Sequence, residues 1–328
     1  MTHYLETGSF DPAYNLAFEE YVLENRREGD WLLLWQNERT VVIGLNQLAA
    51  AEVDEDYARK NGITVIRRAT GGGAVYHDLG NLNYSFICDA PEDLSSLSLA
   101  AFMEPVCLAL RSLGVPAEVS GRNDVTVNGL KVSGTAQRLS GRRILHHGTL
   151  LFETDSDTMS AVLRPGRAKF ESKAAKSVRS RVGQIKDFLP VETTLDSFRA
   201  ELLAGLTRSG LVREALSADE LSEVSRLADV KYRSWDWTWG RAPDFGFGSE
   251  RRFPGGSIAV SLDVSGGIIR AAAVSGDFMA MAPCSPLESA LTGVRFERGA
   301  VGSAVSGLGL EAMLGSISAE EFLSLLFD

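Results

Sequence analysis

Apolar positions fall along this chain in short blocks, and the period of each block changes from one to the next. Tyr14, Phe18, Tyr21 and Val22 recur at helical spacing. Asp11-Pro12 ahead of them provides an N-cap and a proline suited to the first turn. Two compact β-type runs follow, Trp31-Leu32-Leu33-Leu34-Trp35 and Thr40-Val41-Val42-Ile43. Residues 52–61 predict a helix stopped by Gly62, and Ile63-Thr64-Val65-Ile66 a strand that runs straight into a glycine cluster. Residues 82–87 read as a further strand and 99–113 as a helix closed by Gly114.

From residue 124 to 152 the pattern is one of antiparallel strands, with turns at Asn128-Gly129 and Ser140-Gly141. Amphipathic helices are expected over 195–206 and 219–227. Composition shifts at Trp235-Asp236-Trp237-Thr238-Trp239-Gly240, followed by a Gly/Pro-rich stretch to Gly256. A hairpin over 257–275 and helices from Pro286 and Ala319 come after it. The expectation is an α+β chain: a large mixed-sheet domain over residues 1–240 and a small α+β domain over 241–328.

Composition narrows the classes. Of 328 residues, 45% are hydrophobic and 23% charged, enough to bury a real core. No apolar run approaches the length of a membrane span, and Met1-Thr2-His3-Tyr4 does not begin a secretory signal. Cys88, Cys107 and Cys284 are widely spaced and read as reduced thiols, so a cytoplasmic protein is expected. The net charge of −10 argues against a nucleic-acid surface. Against that background, residues 164–186 hold eight Lys or Arg and one acid, Glu171. Such a local cationic segment suits nucleotide phosphates or an acidic partner.

Three segments carry candidate chemistry. Arg67-Arg68-Ala69-Thr70-Gly71-Gly72-Gly73-Ala74-Val75-Tyr76-His77-Asp78-Leu79-Gly80-Asn81 sets three glycines after a strand. Their backbone can approach a ligand closely and turn successive N–H groups on an anion. It matches neither the Walker loop nor the dinucleotide fingerprint. Gly121-Arg122-Asn123-Asp124 offers hard oxygen ligands of the kind Mg²⁺ uses beside a nucleotide. Close behind, Lys131 stands among small residues in Gly129-Leu130-Lys131-Val132-Ser133-Gly134-Thr135-Ala136. His146-His147-Gly148-Thr149-Leu150 places two adjacent histidines on a strand, which sends them to opposite faces and disfavours a shared metal.

In this order the segments closely resemble lipoate–protein ligase A. Phe10-Asp11-Pro12-Ala13-Tyr14-Asn15-Leu16-Ala17, Thr40-Val41-Val42-Ile43-Gly44, Ser177-Val178-Arg179-Ser180-Arg181-Val182 and Ser234-Trp235-Asp236-Trp237 extend the likeness over nearly the whole chain. The resemblance implies a biotin/lipoate ligase-like fold and a two-step reaction. ATP and Mg²⁺ first convert lipoate, or octanoate, to an acyl-adenylate. A lysine on an apo lipoyl domain, of an E2 subunit or of the glycine cleavage H protein, then takes the acyl group.

It further implies that Arg68, Gly73, Ala74, Val75 and Tyr76 hold the nucleotide, with Ser177, Arg179 and Arg181 closing over the adenylate. Asn123 and Asp124 would hold Mg²⁺, and Lys131 would bridge the acyl carbonyl and the α-phosphate. Arg67, Thr70, Gly71, Gly72, His77 and His147 would stand beside the acyl group. Two other readings share the fold or the ligand. An octanoyltransferase would use a cysteine nucleophile and a ready-made acyl donor, but no cysteine follows His147 on the pocket side. A lipoyl-adenylate binder without activity would dispense with Lys131 or Asp124, and both are present.

Overall fold

Asp11 caps the Pro12–Asn25 helix, its carboxylate accepting from the Ala13 amide at 3.0 Å. Losing such a cap typically costs about 1 kcal/mol. The helix belongs to a computed structural model that describes residues 1–92, 99–121, 123–163, 182–207, 210–241, 245–278 and 280–327. By its contacts the backbone divides into two units, Met1–Leu45 with Ala58–Ser234, and Asn46–Tyr57 with Trp235–Asp328. The boundary expected after residue 240 falls just beyond this division, and residues 46–57 group with the C-terminal unit.

The larger unit holds two sheets. Strands β1 (Thr2–Glu6), β2 (Asp30–Trp35), β3 (Thr40–Ile43), β4 (Thr64–Arg67), β5 (Val75–His77) and β6 (Asn81–Asp89) come first in the chain. β7 (Ala117–Ser120), β8 (Asp124–Val127), β9 (Leu130–Ser140), β10 (Arg143–Leu151) and β11 (Leu211–Arg213) follow. Eight of them form one sheet in the order β11-β1-β2-β6-β10-β9-β8-β7, parallel only where β1 meets β2 and β11. β4-β3-β5 form a small sheet in which β3 runs parallel to β4 and antiparallel to β5.

β10 is buried along its whole length. Its adjacent histidines do leave on opposite faces, and a different helix meets each one. His146 stacks on Phe102 of the Leu99–Ser112 helix at 5.0 Å between ring centroids, and His147 reaches Glu19 of the Pro12–Asn25 helix. The Leu99–Ser112 and Leu195–Leu206 helices close the His146 face with Met103, Val106, Leu110, Phe198 and Leu202. The hairpin turn at residues 128–129 has both residues at positive φ, 50° and 78°, as a tight two-residue turn demands.

Three expectations need correction. The helix expected over 52–61 is broken into Ala49–Glu52 and Glu55–Lys60, because Val53 between them is extended. The Gly/Pro-rich stretch before Gly256 is in fact a strand over most of its length, β12 (Phe245–Phe253). It pairs with β13 (Gly256–Ser265), which pairs in turn with β14 (Ile268–Gly276). Short strands β1, β5, β7 and β11 were also not expected; each is held by its sheet neighbour rather than by its own pattern. The C-terminal unit has its own core, with Ile258, Val260 and Leu262 of β13 packed against Leu287, Leu291, Phe322 and Leu325.

Candidate active site

A cleft opens within the larger unit. On one side stand Val42 of β3, Arg68, the turn residues Gly72, Gly73 and Ala74, and Val75 and His77 of β5. On the other, Trp35, Asn83, His147, Gly148 and Thr149 come from β2, β6 and β10, and Lys131, Gly134, Thr135 and Ala136 from β9. Leu16 and Asn123 complete the wall. The glycine turn and Lys131, more than fifty residues apart in sequence, therefore share one pocket.

Arg68 organises the turn. Its side chain is buried, and Nη2 donates to the carbonyls of Gly71 at 2.6 Å and Gly73 at 2.9 Å. Nη1 donates to Val42 O at 3.1 Å and Nε to Thr70 Oγ1 at 2.9 Å. Burial pulls the guanidinium down to about 10, opposed by the Glu19 carboxylate, so it keeps its charge at neutral pH. Of the three glycines only Gly72 has a positive φ, 92°. A Cβ on Gly71 or Gly73 would meet nothing within 4 Å. The protein's own packing thus leaves open space beside those two residues, as a site that admits a ligand to its backbone would. Gly44 is different: its Cβ would lie 2.0 Å from the Gly72 carbonyl, so the turn can pack on β3 only without a side chain there.

From Arg68 a chain of buried polar groups runs through the unit. Thr70 Oγ1 lies 2.8 Å from His147 Nε2, and His147 Nδ1 lies 2.9 Å from Glu19 Oε1. Ser85 donates to the same carboxylate at 2.5 Å and accepts from Trp35 Nε1 at 2.9 Å. Glu19 is 3% exposed, so this carboxylate and the Arg68 cation offset one another inside the protein.

Lys131 is held differently. Its amine pairs with Asp124 Oδ1 at 2.7 Å, and both side chains are about one-third exposed, 35% and 34%. Gly134 makes room for it, since a Cβ there would lie 2.9 Å from Nζ. Asn123, next to Asp124 in the chain, donates to Thr135 O, which leaves its amide oxygen as a second hard donor. This carboxylate–amide pair suits Mg²⁺, which takes few protein ligands and keeps water and phosphate oxygens.

These arrangements decide the family when set beside known proteins. Residues 11–207 match the model of the lipoyl protein ligase A/B catalytic domain, and residues 242–326 that of the bacterial lipoate protein ligase C-terminus. The chain belongs to the lipoate–protein ligase family. Lipoate-protein ligase LplJ of Bacillus subtilis is 40% identical over 322 residues, covering 97% of each chain. A crystal structure of lipoate-protein ligase A bound with ATP superposes with a TM-score of 0.63 at 32% identity, over 73% of this chain and 98% of that one. The archaeal bi-partite lipoate protein ligase of Thermoplasma acidophilum, described with its E2 lipoyl domain, gives 0.64 at 33%, over 74% and 96%. The α+β architecture is thus that of lipoate ligases.

Within that family fold, the residues singled out from sequence separate into groups. Arg68, Gly72, Gly73, Ala74, Val75, His77, Asn123, Lys131 and His147 line the pocket. Thr70 and Gly71 stand just behind it, through His147 and Arg68. Asp124 touches it through Lys131. Tyr76 alternates away from Val75 and His77 and is buried. Arg67 is not among the lining residues; it is wholly buried, and its guanidinium donates to the carbonyls of Gly44 and Leu45. Ser177, Arg179 and Arg181, with Arg122, lie outside the described residues.

Sequence reading missed Glu19, Trp35, Asn37, Asn83 and Ser85. The one available signal was Glu19 beside Glu20 among the apolar positions of the Pro12–Asn25 helix. Cys88 and Cys107 are pushed up to about 11 by burial, and no cysteine lines the cleft.

Proposed function

We propose that the protein activates lipoate with ATP and passes the lipoyl group to a lysine of a lipoyl domain. A carboxylate oxygen of lipoate attacks the α-phosphorus, and the bond to pyrophosphate breaks. The neutral amine of the acceptor lysine then attacks the acyl carbon and AMP leaves. Two anions must meet in the first step, so fixed positive charge is needed where negative charge gathers. Lys131 supplies it on a side chain free to leave Asp124 as phosphate arrives. Arg68 holds the glycine turn in shape, so that backbone from Gly72 to Val75 can lie along the nucleotide.

Mg²⁺, held by Asp124 and the Asn123 amide oxygen, would neutralise phosphate charge during adenylation. Leu16, Trp35 and Val42 provide the apolar surface along which an acyl chain gains about 0.8 kcal/mol per buried CH₂. In this reading residues 1–240 carry adenylation and transfer and residues 241–328 are accessory, with Ser177, Arg179 and Arg181 closing over the adenylate. Octanoate is an alternative acid. E2 lipoyl domains are the acceptors best supported, through the archaeal relative, and the glycine cleavage H protein is a further one. The reaction is assigned to the cytoplasm; among the described residues no helix is long and apolar enough to cross a membrane.

The observation that carries this reading is the shared pocket of Lys131 and the Arg68-clamped glycine turn. Intact-mass analysis of an apo lipoyl domain incubated with the protein, lipoate, ATP and Mg²⁺ tests it. Modification that requires ATP is expected. Modification from an acyl-carrier donor without ATP would instead make the protein a transferase.

A further inference from the structure

Two histidines line the pocket, and their wiring differs. His147 has a partner at each ring nitrogen. His77, only 3% exposed, has one: its Nδ1 lies 3.1 Å from Asn37 Nδ2, while its Nε2 is buried without a hydrogen-bond partner among the described residues.

The tautomer of His77 follows from the groups behind it. Asn15 Nδ2 approaches the backbone carbonyls of Ser9 at 3.1 Å and Gln36 at 2.7 Å, and carbonyls only accept, so Asn15 must present its NH₂ there. The same nitrogen reaches Asn37 Oδ1 at 2.9 Å, which fixes the Asn37 amide with its NH₂ towards His77. His77 Nδ1 must therefore accept. Burial, with the neighbouring Arg68 and His147 adding to it, pulls the ring down to about 3, so it is neutral at pH 7 and its proton sits on Nε2. Asn15 and Asn37 are completely buried, so the arrangement is rigid. The result is an oriented N–H donor without a partner among the described residues, on a side chain that lines the pocket.

Its place along the pocket indicates what it meets. The His77 ring stands 6.1 Å from that of Trp35 on β2, whereas Lys131 is on β9. In the order β2-β6-β10-β9, β2 is three strands from β9, roughly 14 Å at the usual spacing. An acid whose carboxylate is activated at Lys131 thus lays its far end towards Trp35 and His77. A dithiolane sulfur at that end is a weak acceptor, and the methyl of a plain fatty acid is none. We propose, on the lipoate ligase reading, that His77 is a specificity-determining residue whose Nε2–H, oriented by Asn15 and Asn37, donates to a dithiolane sulfur and favours lipoate over octanoate. A plain alkyl terminus leaves that donor buried and unpaired, the arrangement by which polar sites reject analogues lacking a partner.

Pyrophosphate release measured with each acid tests this. His77→Leu is expected to lower the ratio of kcat/KM for lipoate to that for octanoate about tenfold, the worth of one hydrogen bond. Asn37→Asp, whose carboxylate would draw the proton to Nδ1, should lose the same preference, and His77→Gln, which keeps an N–H donor, should retain part of it. Nitrogen NMR of the wild-type, histidine-labelled full chain should show a protonated Nε2 that shifts on adding lipoate and stays put with octanoate. An equal fall for both acids in His77→Leu, or a protonated Nδ1 in the wild type, would overturn the proposal. Failure of the wild-type protein to release pyrophosphate with either acid would sink the ligase reading instead, leaving the tautomer and its response to lipoate to be judged separately.

Discussion

Among the described residues, Arg68 and Lys131 are the Arg and Lys side chains in the wall of the pocket, and they are built in opposite ways. Arg68 is buried and spends its donors on Thr70 and the carbonyls of Val42, Gly71 and Gly73. Lys131 is one-third exposed and pairs with the Asp124 carboxylate, beside a glycine that gives it space. A planar guanidinium with several fixed donors suits a scaffold, and a compact ammonium on a flexible stem suits a group that must change partners. Positive charge in a site can therefore shape the backbone or act on the substrate, and burial tells the two apart here.

The largest effect should come from Arg68→Met. It leaves Gly71, Gly73 and Val42 without their donor and Glu19 without its countercharge, so about 3–5 kcal/mol of stability should be lost. Chemical denaturation with an unchanged m value would measure it. Near wild-type stability with activity gone would erase the contrast, making Arg68 a second Lys131.

Next in size, Lys131→Ala should cut pyrophosphate release by about 10²–10³, the usual toll of removing one electrostatic contact in a transition state. Its thermal midpoint should stay close to that of the wild type, because both members of the ion pair are partly solvated. Release within a few-fold of normal would remove Lys131 from its proposed role.

Gly134→Ala sharpens the same point with a smaller change. The new methyl would lie 2.9 Å from the Lys131 amine, a flexible group that can yield. Stability should move by under about 1 kcal/mol, as for other changes away from a packed core, while pyrophosphate release falls roughly tenfold. Gly44→Ala, which drives a methyl into the backbone of Gly72, should do the reverse and destabilise first.

The smallest effect concerns the fixed, buried side of the domain in acid. His146, like His77, is pulled down to about 3 by burial. Between pH 3 and the ordinary value of 6.5 the unfolded chain binds protons that the folded one refuses, so stability falls as pH drops below 6.5. Each group should cost about 0.8 kcal/mol at pH 6. His146→Phe, which keeps the stack on Phe102, should flatten the pH dependence of the denaturation midpoint by one proton's worth. An unchanged slope would mean that His146 is protonated in the folded protein.

Much of the candidate site was legible because it is contiguous. Arg68 to His77, Asn123-Asp124 and Lys131 to Ala136 each hold several site residues within one stretch, and the glycines, the turn signals and the strand periods around them reflect local backbone rules. The helix from Pro12 was equally readable, since its cap lies next to it. Those features depend on neighbours in sequence. Glu19, Trp35, Asn37 and Ser85 gave no such sign, because their roles come from register: β6 sets Ser85 opposite His147 and Asn83 opposite Trp35, and only that pairing closes the polar chain. The strand β12 was hidden for a related reason, as its glycines and charges form a strand only with β13 alongside. Arg67 and Arg68 make the division plain. The sequence shows two adjacent arginines before three glycines; on the extended end of β4 they part, one to the carbonyls of Gly44 and Leu45 and the other to the pocket. Local propensity and spacing determined which segments form the walls of the cleft, and long-range hydrogen bonding decided which side chains they turn towards one another.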